Sequence, residues 1–236
     1  VFLFEMVRLS DMTEGKLSLV ATPIGNLEDI TLRALRTLKE CDYVLCEDTR
    51  VTGKLMSHYE IKKPLRRYDA HTSEGVHAGI IKDLEAGKHI VLVSDAGTPG
   101  ISDPGVLLIK QARGAEVLIE GIPGPSAVTT AVSLAGIVGN QFAFLGFVPQ
   151  KKGRETFFKS LATFPCPTVF FESTHRILKT LEALKKELPE ATLYVGRELT
   201  KMHEEMLVGS ATELLHTLTD TPVKQKGEFV IIVSLE

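Results

Sequence analysis

Three stretches of this chain share one design. LSLVATPIGN (17–26), IVLVSDAGTPG (90–100) and VLIEGIPGP (117–125) each run from an apolar, β-branched segment straight into a turn of proline and glycine. Apolar runs of this length, alternating with helical periodicities, predict strands buried on both faces of a parallel sheet. Leu32, Leu35 and Leu38 suit one helical stripe, YVLCE a strand, and Leu55 and Tyr59 a second helix. Val76, Ile80, Ile81 and Leu84 suit a third helix, with Gly87 as the residue that closes it. In such a sheet all three proline-glycine turns leave the carboxyl ends of strands, the edge at which open α/β sheets hold ligands.

The middle turn is the most unusual. SDAGTPGISDPG (94–105) places three glycines and two prolines within nine residues, and carries two aspartates as well. A plain loop needs one or two such residues, because glycine supplies positive φ and proline fixes φ. This density predicts a cradle in which main-chain groups approach a small molecule, rather than a tight turn alone.

From Pro125 onward the pattern changes. GPSAVTTAVSLAG reads as a helix, QFAFLGF as a strand, and a basic helix leads to the strand TVFFE. Ser173 is expected to cap an amphipathic helix carrying Ile177, Leu178, Leu181, Leu184 and Leu188. TLYVGREL and EEMLVG suit an antiparallel pair, Ser210 and Glu213 a capping box, and GEFVIIVSL a closing strand. The expected fold is therefore two α/β domains. The first, 16–124, has a mostly parallel sheet, and the second, 125–236, a mixed one.

Composition sets limits. Of 236 residues 44% are hydrophobic and 24% charged, an ordinary globular balance. No apolar run approaches the ~20 residues of a membrane span. The opening VFLFEMVRLS has four apolar residues before Glu5, too short for a signal-peptide core, so a cytoplasmic chain is expected. Val1 is not an initiator, which leaves the residues before Met6 or Met12 as expected processing remnants. Cys41, Cys46 and Cys166 match no disulfide framework or zinc spacing and read as thiols in a reducing compartment. No P-loop, G-x-G-x-x-G, G-x-S-x-G or zincin motif occurs. No metal is expected: Glu47, Asp48, Asp95 and Asp103 read better as turn-forming acids.

Net charge is −3, which gives no global attraction for nucleic acid. Two local clusters differ. Arg50, Lys54, Lys62, Lys63, Arg66 and Arg67 face only Glu60 and Asp69 between residues 49 and 71; Lys151, Lys152, Arg154 and Lys159 face only Glu155. Lys62, Lys63, Arg66 and Arg67 are expected in a polar connection, and Lys151, Lys152 and Arg154 at a helix start, both open to phosphate. A solvated face is the plainer meaning of such runs.

The ordered set ATPIGNLEDITLRAL, EDTR, SDAGTPGISDPG, IPGPSA, FLGFVP, FESTHRI, GREL-TK-HEE and KGE resembles the tetrapyrrole methylase superfamily. Within it the chain is most similar to the branch that methylates a cytidine ribose 2′-hydroxyl in 16S rRNA. The resemblance runs from about Lys16 to Glu236. It departs at Thr174, where this branch more often has proline. It implies a two-domain homodimer that binds S-adenosylmethionine in the interdomain cleft and acts on 16S rRNA or the small ribosomal subunit. Laid on this chain, the cofactor positions are Pro23, Ala96, Gly97, Thr98, Ile101, Ser126, Ala127, Phe171 and Gly227.

Methyl transfer needs the acceptor oxygen in line with the donor methyl, and a base or a cation beside that oxygen. Candidates at the strand ends are Glu47, Asp48, Arg50, Asp95, Arg197, Glu198 and Lys201. Lys201 or Glu198 is favoured as base, and Arg50 or Arg197 as a clamp. Two alternatives stand beside this reading. One is a tetrapyrrole C-methyltransferase acting on a precorrin or uroporphyrinogen, against which the ATPIGN opening argues. The other is a non-catalytic nucleotide-sensing module using the same cradle. A magnesium phosphatase built on Asp95 is weaker, since no second ligand cluster has recognisable spacing.

Overall fold

In the computed structural model of the protein, residues 15–137 and 139–235 are described. The opening segment, with the signal-peptide and initiator expectations attached to it, lies outside them. The chain divides into two units. One comprises the residues up to Thr22 with Ile30–Gly124; the other comprises Pro23–Asp29 with the residues from Pro125.

The first unit alternates strand and helix as β1 (Lys16–Val20), α1 (Leu32–Glu40), β2 (Tyr43–Cys46), α2 (Thr49–His58), β3 (Leu65–Arg67), α3 (Glu74–Glu85), β4 (His89–Leu92), α4 (Val106–Gly114) and β5 (Leu118–Ile122). The strands lie in the order β3-β2-β4-β1-β5, every pair parallel. The apolar runs read from sequence are buried on both faces. Val20, Val44 and Val91 pack with Ala34, Leu38, Leu55 and Met56 of α1 and α2. Leu17, Leu45, Ile90 and Leu92, pointing the other way, pack with Ile80, Leu84, Leu108 and Ala112 of α3 and α4.

Local signals fix the helix ends. The hydroxyl of Thr31 accepts from the Ala34 amide and the carboxylate of Asp48 from the Arg50 amide. Gly87, at φ +88°, follows α3 and donates to the Leu84 carbonyl. The expected stripes need correction. Leu32 is the first residue of α1 and 87% exposed, and Ala34, Thr37 and Leu38 form the buried face. Val76 is exposed while His77 is buried beside Ile80 and Leu84. Tyr59 lies just past α2 as its C-cap. Arg66 and Arg67 belong to an edge strand rather than to an irregular connection.

The second unit continues with α5 (Ala127–Ala135), β6 (Ala143–Phe147), α6 (Arg154–Leu161), β7 (Thr168–Ser173), α7 (Ile177–Glu187), β8 (Thr192–Arg197), β9 (Glu205–Gly209), α8 (Ala211–Asp220) and β10 (Glu228–Ser234). Its sheet, ordered β6-β7-β10-β8-β9, is mixed: β6 and β7 are parallel and the other pairs antiparallel. One face packs on α6, α7 and α8 through Phe158, Phe170, Leu181, Leu214 and Ile231. The other face packs on α5 through Val128 and Ala131, with Val169, Val230 and Ile232, and receives Ile24 from Pro23–Asp29. The Ser210–Glu213 capping box is present in both directions. Ser173 is not a cap: it ends β7, and Arg176 precedes α7.

Cys41 and Cys46 are buried free thiols and Cys166 is a half-buried one. Burial pushes the Cys41 thiol up to about 11, which keeps it protonated and inert. No helix among the described residues is long and apolar enough to cross a membrane.

Candidate functional site

Because β4, β1 and β5 are parallel neighbours, their carboxyl ends emerge side by side, and the turns that follow are bonded to one another. The amide of Ala21 donates to Ile122 O at 3.2 Å. Thr22 and Gly97 exchange both main-chain hydrogen bonds, at 2.9 and 3.0 Å. The Thr22 hydroxyl donates to Ser94 O at 3.1 Å, and the Ser94 hydroxyl to Gly97 O at 3.2 Å. A Cβ on Gly124 would stand 3.1 Å from the Ala21 Cβ, so the β5 exit lies against the β1 exit. β2 joins the set, since the Asp48 amide donates to the Asp95 carboxylate at 3.0 Å.

The breakers in 94–105 now have reasons. Gly97, Gly100 and Gly105 have φ of +82°, +82° and +128°. Their role differs in part from the expected cradle. Both polar groups of Gly97 are taken by Thr22, so it anchors the loop. Ala96 and Ile101 are exposed, and Ile101 donates to Thr98 O.

This edge is acidic. Burial, augmented by the charges of Glu47 and Asp95, raises the Asp103 carboxyl to about 6 against the Ser94 hydroxyl, which favours the ionised form. Burial, then Asp95 and Asp69, raise Glu47 as well. Asp48 is held well below the usual carboxylate range by the forked contact from Arg50, whose Nη2 lies 2.6 Å away. Among the described residues no group of three His, Cys, Asp or Glu side chains is placed to hold a metal ion.

In the second unit the candidates gather on the turn after β8. Glu198 and Thr200 have φ of +50° and +64°, rare for residues with side chains. The Lys201 ammonium lies 2.9 Å from both Glu198 and Glu228 carboxylates. Burial alone would lower Lys201, but those two acids outweigh it and hold the ammonium above its ordinary range. Burial alone would raise Glu198; the hydrogen bonds from Lys201 and the Glu228 amide reverse that, and its carboxyl is lowered. Both groups are thus fixed in charged form, which corrects the expectation of Lys201 as a general base: a protonated amine cannot accept a proton. Arg197 is also corrected. It is buried and donates to the carbonyls of Lys226, His203 and Val223, so it is no clamp.

The remaining positions are placed as follows. Ser126 precedes α5 with its side chain making no cap bond, and Ala127 is the first helical residue. Phe171 meets Phe144 edge to face. Gly227, at φ +122°, exchanges hydrogen bonds with the Thr174 hydroxyl at 2.7 and 2.9 Å, an internal use of both residues. Pro23 follows Thr22 and opens the Pro23–Asp29 segment. Of the basic residues, Arg66 pairs with Asp83 and covers the Tyr43 ring, and Arg67 pairs with Asp69. Arg154 turns inward to the fully buried Glu172 and the Thr180 hydroxyl, which removes it from the expected phosphate contacts. Lys62, Lys151 and Lys152 are exposed, and Lys63 is half-buried. The sequence gives no sign of the Thr22 and Ser94 hydroxyls that tie the exits, because their spacing is set by sheet order.

Comparison with known proteins identifies the class. The profile of the Tetrapyrrole (Corrin/Porphyrin) Methylases matches residues 16–215. The chain belongs to this family, and it is a methyltransferase. Curated relatives include the ribosomal RNA small subunit methyltransferase I of Thermotoga maritima, 42% identical over 93% of this chain and 98% of that protein. The Haemophilus influenzae protein of the same name is 43% identical over 95% of this chain and 80% of its own length. Two solved structures share the fold at lower identity. They are a cobalt precorrin-4 methyltransferase (TM-score 0.70, 18% identical, 95% of this chain and 97% of that one) and a diphthine synthase (0.71, 14%, 93% and 90%).

Proposed function

We propose that this protein transfers a methyl group from S-adenosylmethionine to the ribose 2′-hydroxyl of a cytidine in 16S rRNA, working as a homodimer. The observation that carries the reading is the Thr22–Gly97 link, which fixes 94–105 as a preformed loop against the β1 exit. The names of the curated relatives supply the RNA half of the reading. The residues fit the donor. Glu47, Asp95 and Asp103 offer negative charge to a sulfonium and an ammonium group, and the uncapped start of α5 at Ser126 suits a carboxylate.

Once bound, the donor supplies a methyl already activated for displacement. The loop residues Ala96, Gly97, Thr98 and Ile101, with Pro23, Ser126, Ala127, Phe171 and Gly227, are assigned to holding and orienting it. Glu198, held ionised, is assigned to taking the proton of the ribose 2′-hydroxyl, and Lys201, kept cationic by Glu198 and Glu228, to stabilising the oxyanion that develops there. Glu198 positions that ammonium. Arg50, exposed and paired among the described residues with Asp48, is assigned to a backbone phosphate. Lys62, Lys63, Lys151 and Lys152 are the remaining phosphate contacts.

Transfer of tritiated methyl onto small ribosomal subunits, followed by nuclease mapping, tests the reading. Label in a cytidine resistant to alkaline cleavage is expected. Label in uroporphyrinogen or a precorrin, with none in RNA, would overturn it in favour of tetrapyrrole chemistry; no turnover at all would favour a sensing module.

A further inference from the structure

Phe144 and Phe147 on β6 are three residues apart, an odd separation that puts side chains on opposite faces of a regular strand. Here they share one face. Phe144 pairs with Val169 and Phe147 with Phe171, three steps on β6 against two on β7, with Gly146 at φ +69° between them. A bulge of this kind re-aims the residue that follows it. Leu145 and Val148 accordingly both pack into the α6–α7–α8 core. Phe147 is left beside Phe171, ring centroids 5.1 Å apart, with Phe171 5.0 Å from Phe144. Phe147 is 54% exposed at the open edge of the sheet.

The segment after Phe147 is braced from beneath. The Val148 amide donates to Phe171 O at 3.2 Å, Arg176 donates to Val148 O at 2.9 Å, and Arg154 to Pro149 O at 3.4 Å. Both guanidinium groups meet the buried Glu172, at 2.8 and 3.4 Å. Lys151 and Lys152 leave this braced segment exposed, with no acidic partner among the described residues. An open aromatic face held rigidly beside two unpaired cations is complementary to one kind of surface: a planar base on an anionic backbone. Stacking needs the base unpaired, so the complementary form is single-stranded.

We propose that Phe147 is a stacking platform for an unpaired RNA base, with Lys151 and Lys152 on the adjoining phosphates. The inference rests on the RNA reading above and names the part of the substrate that the second unit holds.

Fluorescence anisotropy with a short labelled oligocytidine RNA tests it. Phe147→Ala and Phe147→Leu should weaken binding about 5- to 150-fold, the span of one base–aromatic stack, and Phe147→Trp should restore it. Lys151→Ala/Lys152→Ala should flatten the slope of log K against log[salt] by about 0.7 per lost contact. Affinity for S-adenosylmethionine by calorimetry and oligomeric state by light scattering should stay as in the wild type. Undiminished RNA binding by Phe147→Leu, which keeps apolar bulk without a ring, overturns the platform. So does a parallel loss of donor affinity, which would assign the ring to the donor, or a change of oligomeric state, which would assign it to a second copy. A wild type that labels small-subunit RNA but does not bind oligocytidine also overturns the platform alone. A wild type that neither binds nor labels RNA overturns the RNA reading as well.

Discussion

Between Ser94 and Gly105 the chain enters the left-handed region four times, and glycine stands at three of those positions; between Arg197 and Lys201 it enters twice, and glycine stands at neither. The second turn has its glycines too, but around it. A Cβ on Gly25 would lie 2.4 Å from Lys201 Cγ, one on Gly227 2.6 Å from Glu198 Cγ, and one on Gly196 3.2 Å from Leu199. The first turn thus strips its own side chains at three of the four places where its backbone turns left-handed. The second keeps its side chains, and its neighbours give up theirs to make room. Left-handed Glu198 and Thr200 cost about 1–3 kcal/mol each and persist only where surrounding contacts over-determine them. Here the contacts are the Lys201 ion pairs, the Glu228 amide and the buried Leu199. A loop shaped by its own backbone and a charge-bearing turn call for opposite placements of the same residue type.

The largest expected break of this contrast is Gly97→Val. A β-branched residue at φ +82° strains the loop by about 1–3 kcal/mol and disturbs the Thr22 link. Calorimetry should find no measurable donor affinity in a chain that circular dichroism shows to be folded; wild-type affinity would mean that the loop is a turn and nothing more.

A middle effect separates the carboxylates of the two turns. The folded protein holds the Asp103 proton up to about pH 6, because of burial and the charges of Glu47 and Asp95, whereas an unfolded chain releases it near 4. The stability from this group is present below about pH 4 and is lost as pH rises towards 6, with a ceiling of ~3 kcal/mol. Glu198, lowered in the fold, acts in the opposite sense: its contribution is present above the unfolded value and is lost as pH falls through the folded one. Urea titrations of Asp103→Asn between pH 4 and 7 should therefore gain on the wild type as pH rises. A constant difference would remove Asp103 from this account.

Thr200→Gly should have the smallest effect on stability, within about 1 kcal/mol, because relief of the left-handed strain and the greater freedom of the unfolded chain oppose each other. It would sharpen the contrast through kcat. A looser turn should position Lys201 less well and slow methyl transfer with donor affinity unchanged; equal kcat would show that the side chain at 200 has no part in holding the turn.

Much of the architecture was legible in the residues. Apolar runs ending in proline and glycine mark β1, β4 and β5, since a strand buried on both faces has no other composition open to it. Sheet order was not legible, and with it went the Thr22–Gly97 link, which depends on β1 lying beside β4. Helical spacing misplaced Leu32 and Val76, because the buried faces run through Ala34, Thr37 and Leu38 and through His77, Ile80 and Leu84, two sets that include Thr and His and so do not read as apolar stripes. Charge counting placed Arg66, Arg67 and Arg154 among open cations. Asp69, the partner of Arg67, stands in the run itself, whereas Asp83 and Glu172 come from segments that a run of charge does not reveal. Phe147 has a signal in the residues, the lone glycine of FLGFVP inside a strand pattern.

The grouping of Pro23–Asp29 with the second unit has a consequence in time. Ile24 leaves the ribosome early, while the residues that receive it, Leu199 among them, follow 170 positions after Asp29. At synthesis rates of about 5–20 residues per second the segment waits roughly 10–30 s for its seat to exist. The second unit therefore closes, as it emerges, on a segment made long before it, and a gene fragment beginning at Pro125 would encode it with the place of Ile24 unfilled.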